Sequence, residues 1–280
     1  MISDSIVSTL VYSDHFGFPL TFSELHTRLV GVRLSKKSLM QILASMLNKK
    51  LIEKSGIYYH LPGKKSLVLR RESRRKLSET SLDLARNISQ KLGVKPGVLS
   101  IYLTGSLAMQ NSDKNSDIDL MIIARSHELW TTRLFLTIYT TLLGLRRLPG
   151  EKQHSGKLCL NLYLTPASWV IPKAKRSLYT AYELIQAIPL YDPLSLHSKL
   201  LSSNLWVKEY LPNFAFATTH SKAIANRPYL AGLFLRILEF ISYQGQRLYM
   251  HSRITRELIT PDSAFFHPHN PGVKVLKKII

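Results

Sequence analysis

Two carboxylates inside an apolar run constrain this chain more than any other feature: Leu103 to Ile123 reads LTGSLAMQNSDKNSDIDLMII. The preceding VLSIYL, Val98 to Leu103, is a short apolar run bounded by Gly97 and Gly105, the pattern of a buried strand. A turn at Thr104-Gly105-Ser106 leads into a brief helical stretch, Leu107 to Gln110. A polar loop, NSDKNS, then precedes a second strand, SDIDLMII. Alternate residues of a strand share a face, so Asp117 and Asp119 project together while Ile118 and Leu120 point into the core. The run LMIIA is too apolar on both faces for an exposed edge, which argues against two merely solvated acids. Two carboxylates side by side repel unless a cation lies between them, and an oxygen-only ligand set suits Mg²⁺ or Mn²⁺.

Charge points the same way. The 280 residues include 38 Lys and Arg against 18 Asp and Glu, a formal net charge of +20. That excess favours polyanionic partners such as nucleic acid or nucleoside triphosphates. A single cysteine, Cys159, rules out an intrachain disulfide and fits a reducing compartment. The opening MISDSIVSTL has neither a basic segment nor a cleavage pattern, and the most apolar regions are interrupted by Arg133, Arg236 and Glu239. A soluble, cytoplasmic chain with no membrane partner is the expectation.

The first third has its own pattern. Residues 2 to 16 read as a helix ended by Gly17-Phe18-Pro19; Thr21 and Glu24 stand at capping-box spacing, with Leu20 and Leu25 placed as a hydrophobic staple, so a second helix starts at Phe22. Ser35 caps a third, in which Leu39, Ile42, Leu43, Met46 and Leu47 form one apolar stripe. LIEKSGIYYHL, Leu51 to Leu61, then reads as a hairpin around Ser55-Gly56. Three helices and a two-stranded wing look like a winged helix-turn-helix over residues 1–63. Its basic residues include Lys36, Lys37, Lys49, Lys50 and Lys54, and thirteen Lys or Arg fall between Arg33 and Lys76 against Glu53 and Glu72. Such a cluster suits DNA or RNA phosphates; the competing reading is a solvated face on a protein-docking module. Residues 64–96 read as a connector helix.

Strand, Gly-Ser, about ten residues, and Asp-hydrophobic-Asp before a hydrophobic run together resemble the signature of the DNA polymerase beta-like nucleotidyltransferase superfamily, in particular its minimal nucleotidyltransferase branch. The resemblance implies an α+β fold with a small mixed-sheet core at residues 97–175. It also implies roles: Gly105 permits close backbone approach, Ser106 contacts the triphosphate of a nucleoside triphosphate, and Asp117 and Asp119 bind Mg²⁺ or Mn²⁺.

Members that catalyse transfer usually carry a third carboxylate on a later strand. Here the next strand-like segment, KLCLNLYLT, alternates Leu158, Leu160, Leu162 and Leu164 on one face with Cys159, Asn161 and Tyr163 on the other, after a helix from about Ser126 to Leu145. Asn161 holds the expected place of the acid; its amide oxygen can ligate a metal but cannot act as a base. Either two acids suffice, or Glu151, Glu128, Glu183 or Asp113 completes the site, or nucleotide binds without turnover. Residues 176–280 read as a helical region, with isolated arginines and an incidental His267-x-His269. Two functions fit: transfer of a nucleoside monophosphate to an acceptor hydroxyl, or DNA-binding regulation by an antitoxin-like protein with a degenerate transferase fold.

Overall fold

The computed structural model describes residues 2–148, 150–151, 154–216, 220–225, 229–251 and 258–266. His267, His269, Arg227 and Arg253 lie outside them. The chain begins with α1 (Ile2–His15), β1 (Leu20–Thr21), α2 (Phe22–Thr27), α3 (Lys36–Asn48), β2 (Glu53–Ser55) and β3 (Tyr58–His60). β1, which the sequence pattern does not reveal, pairs with β3 to make a three-stranded antiparallel sheet ordered β1-β3-β2. The capping box forms as its spacing predicts: Thr21 Oγ1 accepts from Glu24 N–H, and Glu24 Oε2 accepts from Thr21 N–H at 2.8 Å. Ser35 caps α3 through Ser38 N–H. Leu20, Leu25, Leu39, Leu43 and Ile52 close the core of this module, and Met109 from farther along the chain packs against it.

Helix α4 (Ser66–Gly93) ties the module to the larger sheet. Arg71 on α4 falls within the basic cluster expected at the surface, but it is buried and pairs with both oxygens of Glu24 at 2.9 and 2.7 Å, its guanidinium lying over the Phe18 ring. Burial pushes the Glu24 carboxyl up, but the Arg71 bonds and charge win and hold it below the ordinary carboxylate range. Glu24→Ala removes a helix cap and strands a buried guanidinium, so it is expected to cost about 3–5 kcal/mol in urea unfolding. Because the Glu24 pKa is lowered on folding, its contribution is present above the ordinary carboxylate pKa and fades as pH falls below it.

Next come β4 (Val98–Leu103), α5 (Gly105–Ala108), β5 (Ile118–Ala124), α6 (Leu129–Leu142), β6 (Leu158–Leu164), α7 (Leu178–Gln186), β7 (Ile188–Tyr191), α8 (Leu196–Ser202), α9 (Val207–Tyr210), α10 (Tyr229–Met250), β8 (Leu258–Ile259) and β9 (Ser263–Phe265). One sheet runs β7-β4-β5-β6-β9-β8, with β5 and β6 parallel and the other pairs antiparallel. β5 is interior and apolar on both faces, as LMIIA requires. Ile118, Leu120 and Ile122 pack with α4 and α6, while Met121 and Ile123 pack with α7, α8 and Tyr12 of α1.

Three expectations are corrected. α6 is shorter than Ser126–Leu145, because His127 (φ 61°) and Gly144 (φ 64°) take left-handed backbone at its two ends. Strict alternation fails in β6: Leu158 and Leu160 join Tyr163 on the α4/α6 side, while Leu162 and Leu164 turn to the α7/α8 side. The pairing register shifts between Leu120 and Met121, leaving Asn161 as an extra residue, and such a bulge reverses the side-chain phase. The region past residue 176 supplies three strands as well as helices. Ile188-Pro189-Leu190-Tyr191 is the edge strand β7, where a proline without N–H is tolerated.

The N-terminal module is fastened to the larger sheet by side chains as well. Tyr12 stacks on Tyr182 of α7 with ring centroids 4.1 Å apart, the Tyr182 hydroxyl donates to Arg28 O, and Asn213 bridges Leu34 N–H and His26 O. Among the described residues no helix is long and apolar enough to cross a membrane.

Candidate active site

Asp119 lies on β5, with Asp117 just before the strand, and both project to the α7 side because their neighbours Ile118 and Leu120 are buried on the other. The turn between β4 and α5 is fitted to them. Gly105 has φ +67°, and a Cβ there would come within 2.3 Å of Asp119 Oδ2. Only glycine satisfies both the backbone conformation and the approach of the carboxylate. Thr104 N–H donates to Asp119 O at 2.9 Å, and Ser106 Oγ lies 3.3 Å from Ser112 Oγ. The loop back to β5 is clamped from outside: Asn111 Nδ2 donates to Phe16 O, Arg74 to Asn111 Oδ1, and Ser112 N–H to Ser78 Oγ.

Across the strand, Asn161 Nδ2 donates to Asp119 Oδ1 at 2.7 Å. Its Oδ1 is buried with no protein partner, a costly state for an amide oxygen unless something else satisfies it. Cys159 also faces the pair, and one atom each from Asp117, Asp119 and Cys159 lie within 4.8 Å of one another. Burial and the neighbouring carboxylates push the Cys159 thiol pKa up, so it stays protonated and is a poor ligand. The oxygen donors left, two carboxylates with the Asn161 amide beside them, make a candidate site for a hard divalent cation.

Of the four acids that could supply a third carboxylate, the fold brings one to the site. Glu128 is buried near Arg125 at the start of α6, toward the opposite end of β5. The Glu151 side chain accepts from Leu148 N–H in its own loop. Asp113 is taken up by Ser116, Asn115 and Arg74. Glu183, on α7, is the one whose charge acts on Asp119, and it lies close enough to Tyr179 and Gly105 for both to favour its ionised form. Burial pushes Glu183 up to about 7. Burial, then the charges of Asp117 and Glu183, push Asp119 up to about 8.

Arg147, which no motif in the sequence singles out, donates to Asp117 Oδ2 at 2.7 Å, and this bond raises its own pKa further. The only sequence hint is its place in a basic pair before Pro149. Lys36, Lys37, Lys49, Lys50 and Lys54 are exposed on the N-terminal module and are not part of this cluster.

The arrangement concentrates negative charge beside a glycine turn at one end of a buried strand, where a cation and a polyphosphate would relieve it. Residues 84–176 match the family model described as a nucleotidyltransferase domain. The matched segment runs from within α4 past β6 and contains Gly105, Ser106, Asp117, Asp119 and Asn161. It ends before Glu183. The match supports the nucleotidyltransferase superfamily for this segment, and with it nucleotidyl transfer from a nucleoside triphosphate. No significant match was found among curated proteins or among solved structures.

Proposed function

We propose that the chain is a metal-dependent nucleotidyltransferase that moves a nucleoside monophosphate from a triphosphate to an acceptor hydroxyl and releases pyrophosphate. The observation that carries this reading is the close packing of Asp119 on the Gly105 turn with Asp117 beside it, inside the segment that matches the family. Asp117 and Asp119 hold Mg²⁺ or Mn²⁺, with the free Oδ1 of Asn161 as an added oxygen donor. When bound, the metal neutralises phosphate charge and orients the reacting oxygens. Gly105 lets the triphosphate approach the backbone, Ser106 contacts it through its hydroxyl, and Arg147 adds a cation beside Asp117. Glu183 takes the role that Asn161 cannot fill: its charge acts on Asp119, and burial pushes it up to about 7, which suits it to take the acceptor's proton near neutral pH.

The test is transfer of label from α-labelled ATP, CTP, GTP and UTP into the RNA, protein and small-molecule fractions of a lysate, with Mg²⁺ or Mn²⁺. Label is expected in one fraction with wild type and in none with Asp117→Asn. Glu183→Gln is expected to slow transfer by about 10²–10⁴-fold. Label insensitive to Asp117→Asn would overturn the reading. Absence of label from a folded, DNA-binding protein would favour the regulator instead.

For the N-terminal module we propose a winged helix whose exposed α3 binds duplex DNA. This reading is supported by the order α1-β1-α2-α3-β2-β3 and by the exposed lysines at both ends of α3 and on the hairpin. Lys36→Glu with Lys37→Glu should weaken DNA binding across sequences and reduce its salt dependence by about two counterions in a fluorescence titration.

A further inference from the structure

Helix α10 is amphipathic with its faces reversed. Glu239, Ser242, Gln246 and Met250, spaced three or four apart, form the buried stripe, at 6–9% exposure. They are held there by specific bonds. Glu239 accepts from Trp130 N–H and Thr131 N–H at 2.7 and 2.8 Å, capping the start of α6; Gln246 donates to Trp130 O and accepts from Arg133. The apolar side chains therefore face outward: Leu233, Phe234, Ile237, Phe240, Ile241 and Leu248 are 52–79% exposed.

A helix turned this way is unfavourable in an isolated chain, and hydrogen bonds lock the orientation, so α10 cannot roll its apolar side inward without losing the α6 cap. At roughly 100 Å² apiece, the six side chains expose on the order of 600 Å², most of the about 800 Å² that each partner contributes to a standard protein interface. Patches of this size on soluble proteins mark interaction sites.

Gly245 identifies the shape of the occupant. It lies four residues after Ile241 and three before Leu248, in one row with them along a side of the outward face, and a Cβ there would meet nothing within 4 Å. Glycine inside a helix costs about 0.5–1 kcal/mol relative to alanine, and nothing among the described residues offsets that cost. A glycine in an apolar row lets another backbone come close, which a close-packed second helix uses and a lipid surface does not. Phe234, Leu238, Ile241, Gly245 and Leu248 keep the four-three-four-three spacing of a helix-helix seam. The one acid of α10, Glu239, is buried, and Arg236 and Arg247 lie outside this seam, so the face carries no charge that a copy of itself would oppose. A self-complementary face of this kind closes with two-fold symmetry.

We propose that the outward face of α10 is the interface of a symmetric homodimer in which the two helices cross at Gly245. Sedimentation equilibrium of the full chain over a wide concentration range tests this. The wild type is expected to have the dimer mass. Ile241→Glu, at a position exposed in the monomer, should give a folded monomer with an unchanged far-ultraviolet spectrum. Gly245→Ala is the sharper variant: it strengthens an isolated helix but should raise the dimer dissociation constant tenfold or more. A wild type that is monomeric throughout, or a dimer indifferent to both substitutions, overturns the proposal. So does a monomer that sediments with vesicles of phosphatidylcholine and phosphatidylglycerol, which would assign the face to lipid.

Discussion

Asp119→Asn is expected to abolish nucleotidyl transfer and, in metal-free buffer at pH 8, to raise the melting temperature. The loss should be about 10³-fold or more, since the amide keeps the shape and can still accept from Asn161 while removing the charge that would hold a cation under the proposed function. The gain in stability comes from linkage. In the folded chain burial and the nearby carboxylates push Asp119 up to about 8, whereas an unfolded aspartate titrates near about 4. Between those values the folded state holds a proton that the unfolded state releases. Metal-free wild type therefore loses stability as pH rises from about 4 to about 8, and the asparagine variant escapes that loss. With partial solvent contact the effect is on the order of 1–2 kcal/mol, about 2–4 °C for a chain of this size. Mg²⁺ should restore wild type through binding to the folded state and leave the variant nearly unmoved. Differential scanning fluorimetry from pH 5 to pH 9, with and without Mg²⁺, reads both effects. A wild-type melting temperature flat over that range would contradict the crowding of carboxylates at this site.

Gly105→Ala carries the second large effect, and a matched control isolates its cause. At Gly105 an added methyl is strained by left-handed backbone and would also lie 2.3 Å from Asp119 Oδ2 and 3.1 Å from its Cγ. At Gly144 the backbone is nearly the same, φ +64° against +67°, but nothing lies within 4 Å of the added carbon. Gly144→Ala should therefore cost only about 1 kcal/mol and leave transfer intact. Gly105→Ala should cost about 2–4 kcal/mol in urea and reduce kcat/KM by about 10²-fold or more, since the turn or the carboxylate must shift. Equal behaviour of the two variants would mean that the close packing of Gly105 on Asp119 has no catalytic consequence.

The contrast between α10 and α3 shows why some surfaces are legible in a sequence and others are not. Both have strongly periodic apolar residues. In α3 the stripe of Leu39, Leu43 and Met46 is buried, as periodicity implies. In α10 the periodic residues face out, because Glu239 and Gln246 found better partners on α6 than solvent offered. Periodicity reports that a helix has two faces; which face turns inward depends on the hydrogen-bonding groups it meets.

The amino-acid sequence by itself determined the local units: the Thr21 and Ser35 caps, the hairpin turn at Gly56, the apolar β5 and the pairing of Asp117 with Asp119 on one side of it. These depend on interactions within a few residues or on the fixed two-residue period of a strand. Only the tertiary structure decided the rest. The bulge at Asn161 is set by the register of β6 against β5, which no single strand encodes. Arg71 reads as one more surface cation until α4 packs on α2 and gives it Glu24. Glu183 stands in an ordinary amphipathic helix far along the chain from Asp119 and looks no different there from Glu128 or Glu151. Its selection comes from long-range packing: Tyr182 stacks on Tyr12, and the next side chain along α7 is carried to where its charge acts on Asp119.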